Sequence, residues 1–329
     1  MEKTSTTVGV KSYSEKKGTL KWNAWLSKAS LPLVLLAMWV VMFFLNPNFL
    51  SVDNLSNLGR QTAIIGIVAI AQTLVIITKG IDLSVGATLG ISSVISAQLL
   101  VSGTSVWVTI LAIILVGLMI GVLNGMLVYD AKITPFIATL GTMTIVRGAT
   151  LLTSDGRIIS GLPSEVTKIA ELSILGIPSL LFILLIIAVL GALMIRYTVF
   201  GRNLFSIGSS EESARLSGVN VRITTYGAYG IAGVLSAIAG FLLTTRLASG
   251  IPTAGEGYEL DAIASAVIGG ASLFGAQGSI IGTVIGSFIM STLRNAGNLL
   301  GIQPFWLQIA IGVLLLAVVF FDQLQKRRS

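Results

Sequence analysis

The 329 residues include no cysteine and no histidine. The first absence removes disulfides, thiol catalysis and thiolate metal sites; the second removes the commonest metal ligand and the side chain that titrates near neutral pH. Charge is scarce as well, with Asp, Glu, Lys and Arg together making up 11% of the chain. No GxxxxGK[ST] phosphate loop occurs, so the chain does not hydrolyse a nucleotide by that route.

What is abundant is apolar. Hydrophobic residues make up 54% of the chain and the mean hydropathy is +0.91, more than a water-soluble core can use. Only helices and closed barrels satisfy their backbone in lipid, and the apolar runs have helical length. The fold class expected is therefore an all-α polytopic membrane protein. The 36 glycines against 7 prolines suit closely packed helices. A net charge of +7 raises nucleic acid as a partner, but the basic residues flank apolar runs and form no face. Membrane topology explains them, with lipid as the partner.

In chain order, residues 1–30 form a polar tail with Lys3, Lys11, Lys16, Lys17, Lys21 and Lys28, and with Trp22 and Trp25 near its end. The following run, Leu31 to Leu45, has no small-residue cleavage site after it and reads as an uncleaved first span. A short external segment with Asp53 and Arg60 is expected next. Further spans are expected near 62–78, 85–101, 106–128, 134–153, 177–196, 225–245, 262–273, 280–293 and 305–321. That makes about ten, several of them short, tilted or broken. The transmembrane domain is thus 31–321, followed by a basic tail, 322–329. In this order most Lys and Arg residues fall on the side of both termini, which becomes the cytoplasmic side.

Between the second and third spans, Lys79-Gly80-Ile81-Asp82-Leu83-Ser84 interrupts an apolar region. Charges at that depth face protein or a water-filled cavity, so Lys79 and Asp82 mark either the mouth of a pathway or an internal salt bridge. Gly117, Gly121 and Gly125 lie at helical spacing with Asn124 beside them, a seam for close packing. Arg147 either snorkels to the interface or bonds the carbonyls of a neighbour. A glycine echo relates Gly80, Gly86, Ala87 and Ile91 to Gly269, Gly275, Ala276 and Ile280. It suggests an inverted repeat with a pathway near its interface.

The polar interval Gly201–Ile223 is too well punctuated for a passive linker. Ser209 and Glu212 have capping-box spacing, and Gly218 can close the helix in the left-handed conformation. A helix of about two turns, Ser210 to Ser217, would need a partner surface. Ala214, Leu216 and Val219 offer it a small apolar contact.

The order Glu211, Ala214, Gly218 ahead of a new span resembles the cytoplasmic coupling loop of ATP-binding-cassette importer permeases, specifically the ribose-type sugar permease family. Three stretches carry the same resemblance: Lys79 to Gly90, Thr134 to Met143 and Pro252 to Gly286. Ser213 departs from a pattern in which a second alanine is common. The resemblance implies a non-enzymatic permease subunit in a bacterial inner membrane, both termini cytoplasmic. It also implies a second, identical permease copy, a separate ATPase subunit that binds ATP and magnesium, and an extracytoplasmic sugar-binding protein. This chain itself would hold no cofactor and no metal. Glu211, Ala214 and Gly218 are the coupling positions it implies.

For the pathway the candidates are Asp82, Ser84, Asn124, Glu259, Asp261, Asn295 and Asn298, because Asn and Asp supply the paired donors and acceptors that sugar hydroxyls need. Arg60, Arg246 and Glu256 are candidates for docking the binding protein, and the acidic and basic external stretch 154–176 is a candidate platform for it. Three other readings stand beside this one: an ion-gradient secondary transporter, which leaves the capped helix unexplained; an ATP-driven permease for a branched-chain amino acid, nucleoside or sugar-like signal; and a membrane scaffold for a cytosolic enzyme.

Overall fold

The computed structural model describes residues 17–328, with side chains from residue 31 onward apart from 318, 321 and 324–328. Lys3, Lys11 and Lys16 of the tail lie outside the described residues. Helix α1 spans Lys17–Leu45, so helix begins well inside the stretch expected as a tail. After a 3-10 turn, Pro47–Leu50, Ser51 caps α2, Val52–Ile77, by accepting from the Asn54 backbone N–H. Asp53 and Arg60 therefore sit on the first turns of α2 and not in a separate external segment. A serine N-cap three residues before the next free donor starts the helix earlier than hydropathy does.

The remaining helices are α3, Ser84–Val101; α4, Val106–Tyr129; α5, Pro135–Ser154; α6, Ser164–Glu171; α7, Ser179–Tyr197; α8, Val199–Ser209; α9, Glu211–Leu216; α10, Val221–Leu247; α11, Tyr258–Ile268; α12, Ile280–Leu299; and α13, Pro304–Arg328. Six of them, α2, α3, α4, α5, α7 and α10, are long and apolar enough to cross a membrane. Two shorter apolar stretches, Leu31–Leu45 in α1 and Pro304–Ala317 in α13, join them. With α12 and the short α11 these elements occupy the ten positions expected from the sequence. Strands β1, Ile159–Ser160, β2, Ser173–Ile174, β3, Ile177–Pro178, and β4, Ser249–Gly250, are two residues each. The antiparallel β1–β4 pair ties the 155–178 stretch to the segment that leads into α11.

The core is built on α2, α3 and α10. The apolar window of α2 is 89% buried and those of α3 and α10 72%, against 28% for α4 and α5 and 22% for α7. Helices that are apolar all round and enclosed form the centre, and the outer three present apolar side chains to lipid. The glycine seam of α4 lies against α10: Gly117 faces the Gly233 carbonyl and Gly121 the Tyr229 carbonyl, neither with room for a Cβ, and Gly125 the Tyr226 backbone, where a Cβ would be tight.

Contacts along the bundle fix the sense of each helix. Ile77 at the end of α2 lies beside Gly208 of α8, and Val221 at the start of α10 packs with Ala214 of α9. The end of α2 and the start of α10 therefore share one end of the bundle. At the other end Arg246 donates to Asn57 at 2.9 Å. The unit α2–α3–α4–α5 starts at the end remote from α8 and α9, and the unit α10–α11–α12–α13 starts beside them, so the two run in opposite senses. The glycine echo does not mark this relation. Its two copies meet at the same end of the bundle, where Ala276 N–H donates to the Ile77 carbonyl at 2.9 Å, and an inverted pair would sit at opposite ends.

Candidate functional site

Helix α9 is built from its caps inward. Ser210, not Ser209, is the N-cap: its Oγ accepts from Ser213 N–H at 3.2 Å, while Ser209 closes α8. The interval 201–223 is thus two consecutive helices rather than one helix in a loop. At the C-terminus Gly218 adopts φ +83°. Gly218 N–H donates to the Arg215 carbonyl at 3.1 Å and Val219 N–H to the Ala214 carbonyl at 3.0 Å, the double closure of a Schellman motif. Ala214 is 1% exposed and packs with Ile207, Val221, Val219 and Tyr129. This fastens α9 to α8, to the start of α10 and to the α4–α5 turn. Leu216 does not share that contact; it is 80% exposed, beside exposed Glu212 and Arg215.

The segment under α9 joins two helix breaks, the one between α2 and α3 and the one at 269–279 between α11 and α12. Gly208 fits against the Ile77 carbonyl and the Ala276 backbone with no room for a Cβ. Lys79, held at φ +67°, donates from Nζ to the Ser209 carbonyl at 3.0 Å. Lys79 is therefore not the partner of Asp82, because its left-handed backbone carries the side chain toward α8. The α4–α5 turn is fastened separately: Asp130 accepts from the Tyr226 hydroxyl and pairs with Arg222 Nε at 3.1 Å. These two partners, Tyr226 first, hold the Asp130 carboxyl below the ordinary value of 3.8.

Beyond the α2–α3 break the chain turns back into the bundle. The Gln72 amide, oriented so that both its ends are satisfied, pairs with the Asp82 carbonyl at 3.0 Å and N–H at 3.2 Å. Asp82 thus sits about 7–8 Å inward of Ile77 at 1.5 Å per helical residue. Its carboxylate accepts from Ser84 N–H at 2.9 Å and from Ser84 Oγ at 2.6 Å, and Asn124 Nδ2 reaches Ser84 Oγ at 2.8 Å. All three residues are at most 1% exposed, so they form a closed knot at the start of α3, without access to a channel within one protomer.

The 249–257 segment enters from the opposite end and runs down α3. Gly90 lies against the Ala254 carbonyl, and Gly86 against the Gly255 carbonyl and the Glu259 carboxylate. Arg147 of α5 holds this segment, with NH1 3.6 Å from Glu256 and NH2 3.5 Å from both Glu259 and the Gly255 carbonyl. It bonds a neighbour and does not snorkel. Glu256 and Glu259 therefore share one cation, although the sequence reading gave one to docking and the other to the pathway. Asp261 is fully buried and paired with Arg294 at 2.7 Å. Asn295 exchanges amide hydrogen bonds with Asn54 of α2 at 2.8 and 3.1 Å. Asn298 is exposed and belongs to none of these groups. Arg60 and Arg246 line one cavity of about 260 Å³ with Asn57, Thr167 and Glu171, at the end remote from α9.

Sequence reasoning missed Gly208, Tyr229, Gln72 and Asn54, and for Arg147 it foresaw a neighbour's carbonyl but not the two carboxylates. Gln72 is a lone polar residue in an apolar run, and that signal was available. Gly208 and Tyr229 carry none, since what constrains them is contact between segments far apart in sequence.

The family model described as "Branched-chain amino acid transport system / permease component" matches residues 54–319. The ribose import permease protein of Bacillus subtilis is 44% identical over 289 residues, covering 86% of this chain and 89% of that protein. The ribose import permease protein of Escherichia coli is 36% identical, covering 91% and 95%, and the D-allose transport system permease protein of the same species 33%, covering 97% and 98%. No solved structure matches. The ten apolar elements, the short helix between α8 and α10 and this similarity along nearly the whole length agree: the chain belongs to the branched-chain amino acid transport system / permease component family.

Proposed function

We propose that the chain is the membrane permease of an ATP-driven importer that translocates a monosaccharide, ribose or a similar pentose or hexose, delivered by an extracytoplasmic binding protein. The observation that carries this reading is α9 itself. It is a rigid helix, capped at both ends, fastened by Ala214 to α8, α10 and the α4–α5 turn, and underlain by the two helix breaks. A push on such an element moves several spans as one body, which is what a two-state transporter biased by a nucleotide needs. The relatives named for ribose and allose import supply the substrate class.

In this reading the α9 end and both termini face the cytoplasm of a bacterial cell, in keeping with the basic residues there. Residues 31–321 are the transmembrane domain, with 1–30 and 322–329 as tails. ATP and magnesium are bound by the ATPase subunit, which docks on Glu211, Leu216 and the rest of α9; the permease catalyses no reaction. The partners are that ATPase, the sugar-binding protein, lipid and a second identical permease, and nucleic acid is not among them. Arg60 and Arg246, facing Glu171 across an open cavity, suit the acidic side chains of a docking protein, and Glu256 its basic ones. The second copy would pack on α5, where Gly141 and Gly148 have nothing within 4 Å. Glu259 and its neighbours lie beside that helix and would reach the pathway between the copies.

The test is uptake of radiolabelled ribose into proteoliposomes that hold the permease, its ATPase and its binding protein, with internal ATP and an uncoupler present. Uptake is expected to require ATP, to survive the uncoupler and to collapse in Gly218→Pro, because proline cannot adopt φ +83°. Uptake that needs no ATP and follows an imposed ion gradient would overturn the proposal.

A further inference from the structure

A cavity of about 330 Å³ opens at the α9 end between the α2–α3 break, the α4–α5 turn, α9 and α10. Its volume falls at the lower end of the roughly 300–1,000 Å³ of small-ligand sites. Two ammonium groups line it, Lys79 and Lys132, against one carboxylate, Glu211. Around these stand the hydroxyls of Thr78, Thr134 and Thr225. Neither lysine is spent. Lys79 uses one of its three N–H bonds on the Ser209 carbonyl, and Lys132 rests 4.2 Å over the Tyr129 ring with no carboxylate within salt-bridge distance among the described residues.

We infer that this cavity binds a small phosphate monoester of a sugar, and that the bound ester restrains the coupling helix. A phosphate dianion answers the two lysines, which come from separate turns and would otherwise repel one another. The sugar hydroxyls answer Glu211 as acceptor and the threonine hydroxyls as either. A free sugar leaves the two ammonium groups unanswered, and inorganic phosphate leaves the hydroxyls and Glu211 unanswered. Because Lys79 belongs to the α2–α3 break, Lys132 to the α4–α5 turn and Glu211 to α9, one ligand touching all three sits in the body that α9 moves. A ligand that favours one of two states shifts the equilibrium by its difference in affinity. The ester would thus act from the cytoplasmic side as product-class feedback: the reaction that consumes an imported sugar by phosphorylating its hydroxyl would generate the molecule that slows its entry. The choice of a sugar ester rests on the transport reading above; the anion preference rests on the cavity alone.

The test is calorimetric titration of the full-length permease in nanodiscs with D-ribose 5-phosphate, D-ribose and inorganic phosphate, on the permease alone and in complex with its ATPase. The ester is expected to bind both preparations, and ribose or phosphate alone at least about tenfold more weakly, the loss that follows from removing charge-assisted contacts. Lys132→Gln and Lys79→Gln should each lower affinity for the ester about tenfold, whereas Lys132→Arg and Lys79→Arg retain it and show that the fold is intact. Four results would overturn the inference: no binding, equal binding by the Gln variants, equal binding of inorganic phosphate, or loss of binding once the ATPase is docked, which would make the cavity part of the ATPase contact. Since the titration needs no transport, ester binding without ATP-driven ribose uptake would sink the transport reading and leave the site standing.

Discussion

At the scale of single residues, the most constrained positions are those where two backbones meet. Gly121 touches the Tyr229 carbonyl and Gly117 the Gly233 carbonyl and the Ala237 side chain, so a side chain at Gly121 has only backbone to displace. Gly121→Val should destabilise the permease by about 1–3 kcal/mol, the usual cost of overpacking, and thermal unfolding in detergent would read it as a lowered midpoint. Gly141→Val, at a position with open space around it, should leave the midpoint of the monomer unchanged. The spacing of Gly117, Gly121 and Gly125 made the α4 seam legible in the sequence. Gly208 was not legible, because a single glycine in a polar interval says nothing about the Ile77 carbonyl that lies against it.

Asp130 gives a second prediction at this scale. The Tyr226 hydroxyl, followed by Arg222, holds its carboxyl below 3.8 in the folded protein. A depressed carboxyl contributes stability that is fully present above the unfolded value and is lost as pH falls through the folded value. The fastening of the α4–α5 turn is therefore constant across neutral pH and fails only in acid. Tyr226→Phe should move the Asp130 titration up toward the ordinary value. Carbon-13 carboxyl shifts of aspartate-labelled protein would show it; an unmoved titration would assign the depression to Arg222.

At the scale of elements, α9 shows what a sequence conveys and what it omits. Gly218 as the closing residue follows from local chemistry and holds in the structure. The N-cap came out one residue away because Ser209 has the capping-box spacing to Glu212 and Ser210 does not, yet α8 extends through Ser209 and leaves Ser210 to cap α9. Ala214 and Leu216 looked equivalent as apolar contacts, yet 1% and 80% exposure separate them. The cause is a helix of 100° per residue that can bury one side only. Leu216 is thus the apolar group that α9 offers outward. Leu216→Ser should leave thermal stability within about 0.5 kcal/mol, as surface changes do, while lowering recovery of the ATPase with the affinity-purified permease. Unchanged recovery would remove Leu216 from the docking surface.

At the scale of the whole molecule, the breaks before α3 and before α11 explain why charged groups tolerate the interior. Asp82 enters from the α9 end and Glu259 from the other, each on a segment that leads into a helix, α3 and α11, of opposite sense. The sequence showed the first interruption, Lys79 to Ser84, but not the second, and the glycine echo pointed to 269–280 instead, since glycine recurrence follows close packing and not the repeat. Within one protomer neither break opens a channel: the Asp82 knot is sealed and the Glu259 carboxylate is clamped by Arg147 beside α5. In the proposed dimer the pathway would run along an outer face, and α5 is the outer helix that carries both the clamp and the unfilled positions at Gly141 and Gly148. A second copy packed there would enclose that face. The absence of cysteine makes the arrangement directly measurable, because a single introduced thiol is the only one in the chain and a band at the mass of two permeases reports its own counterpart. Gly148→Cys in native membranes should give a dimer band on mild oxidation, and Leu190→Cys, exposed on α7, should not. A dimer band from α7 with none from α5 would place the second copy, and with it the pathway, on the other face of the bundle.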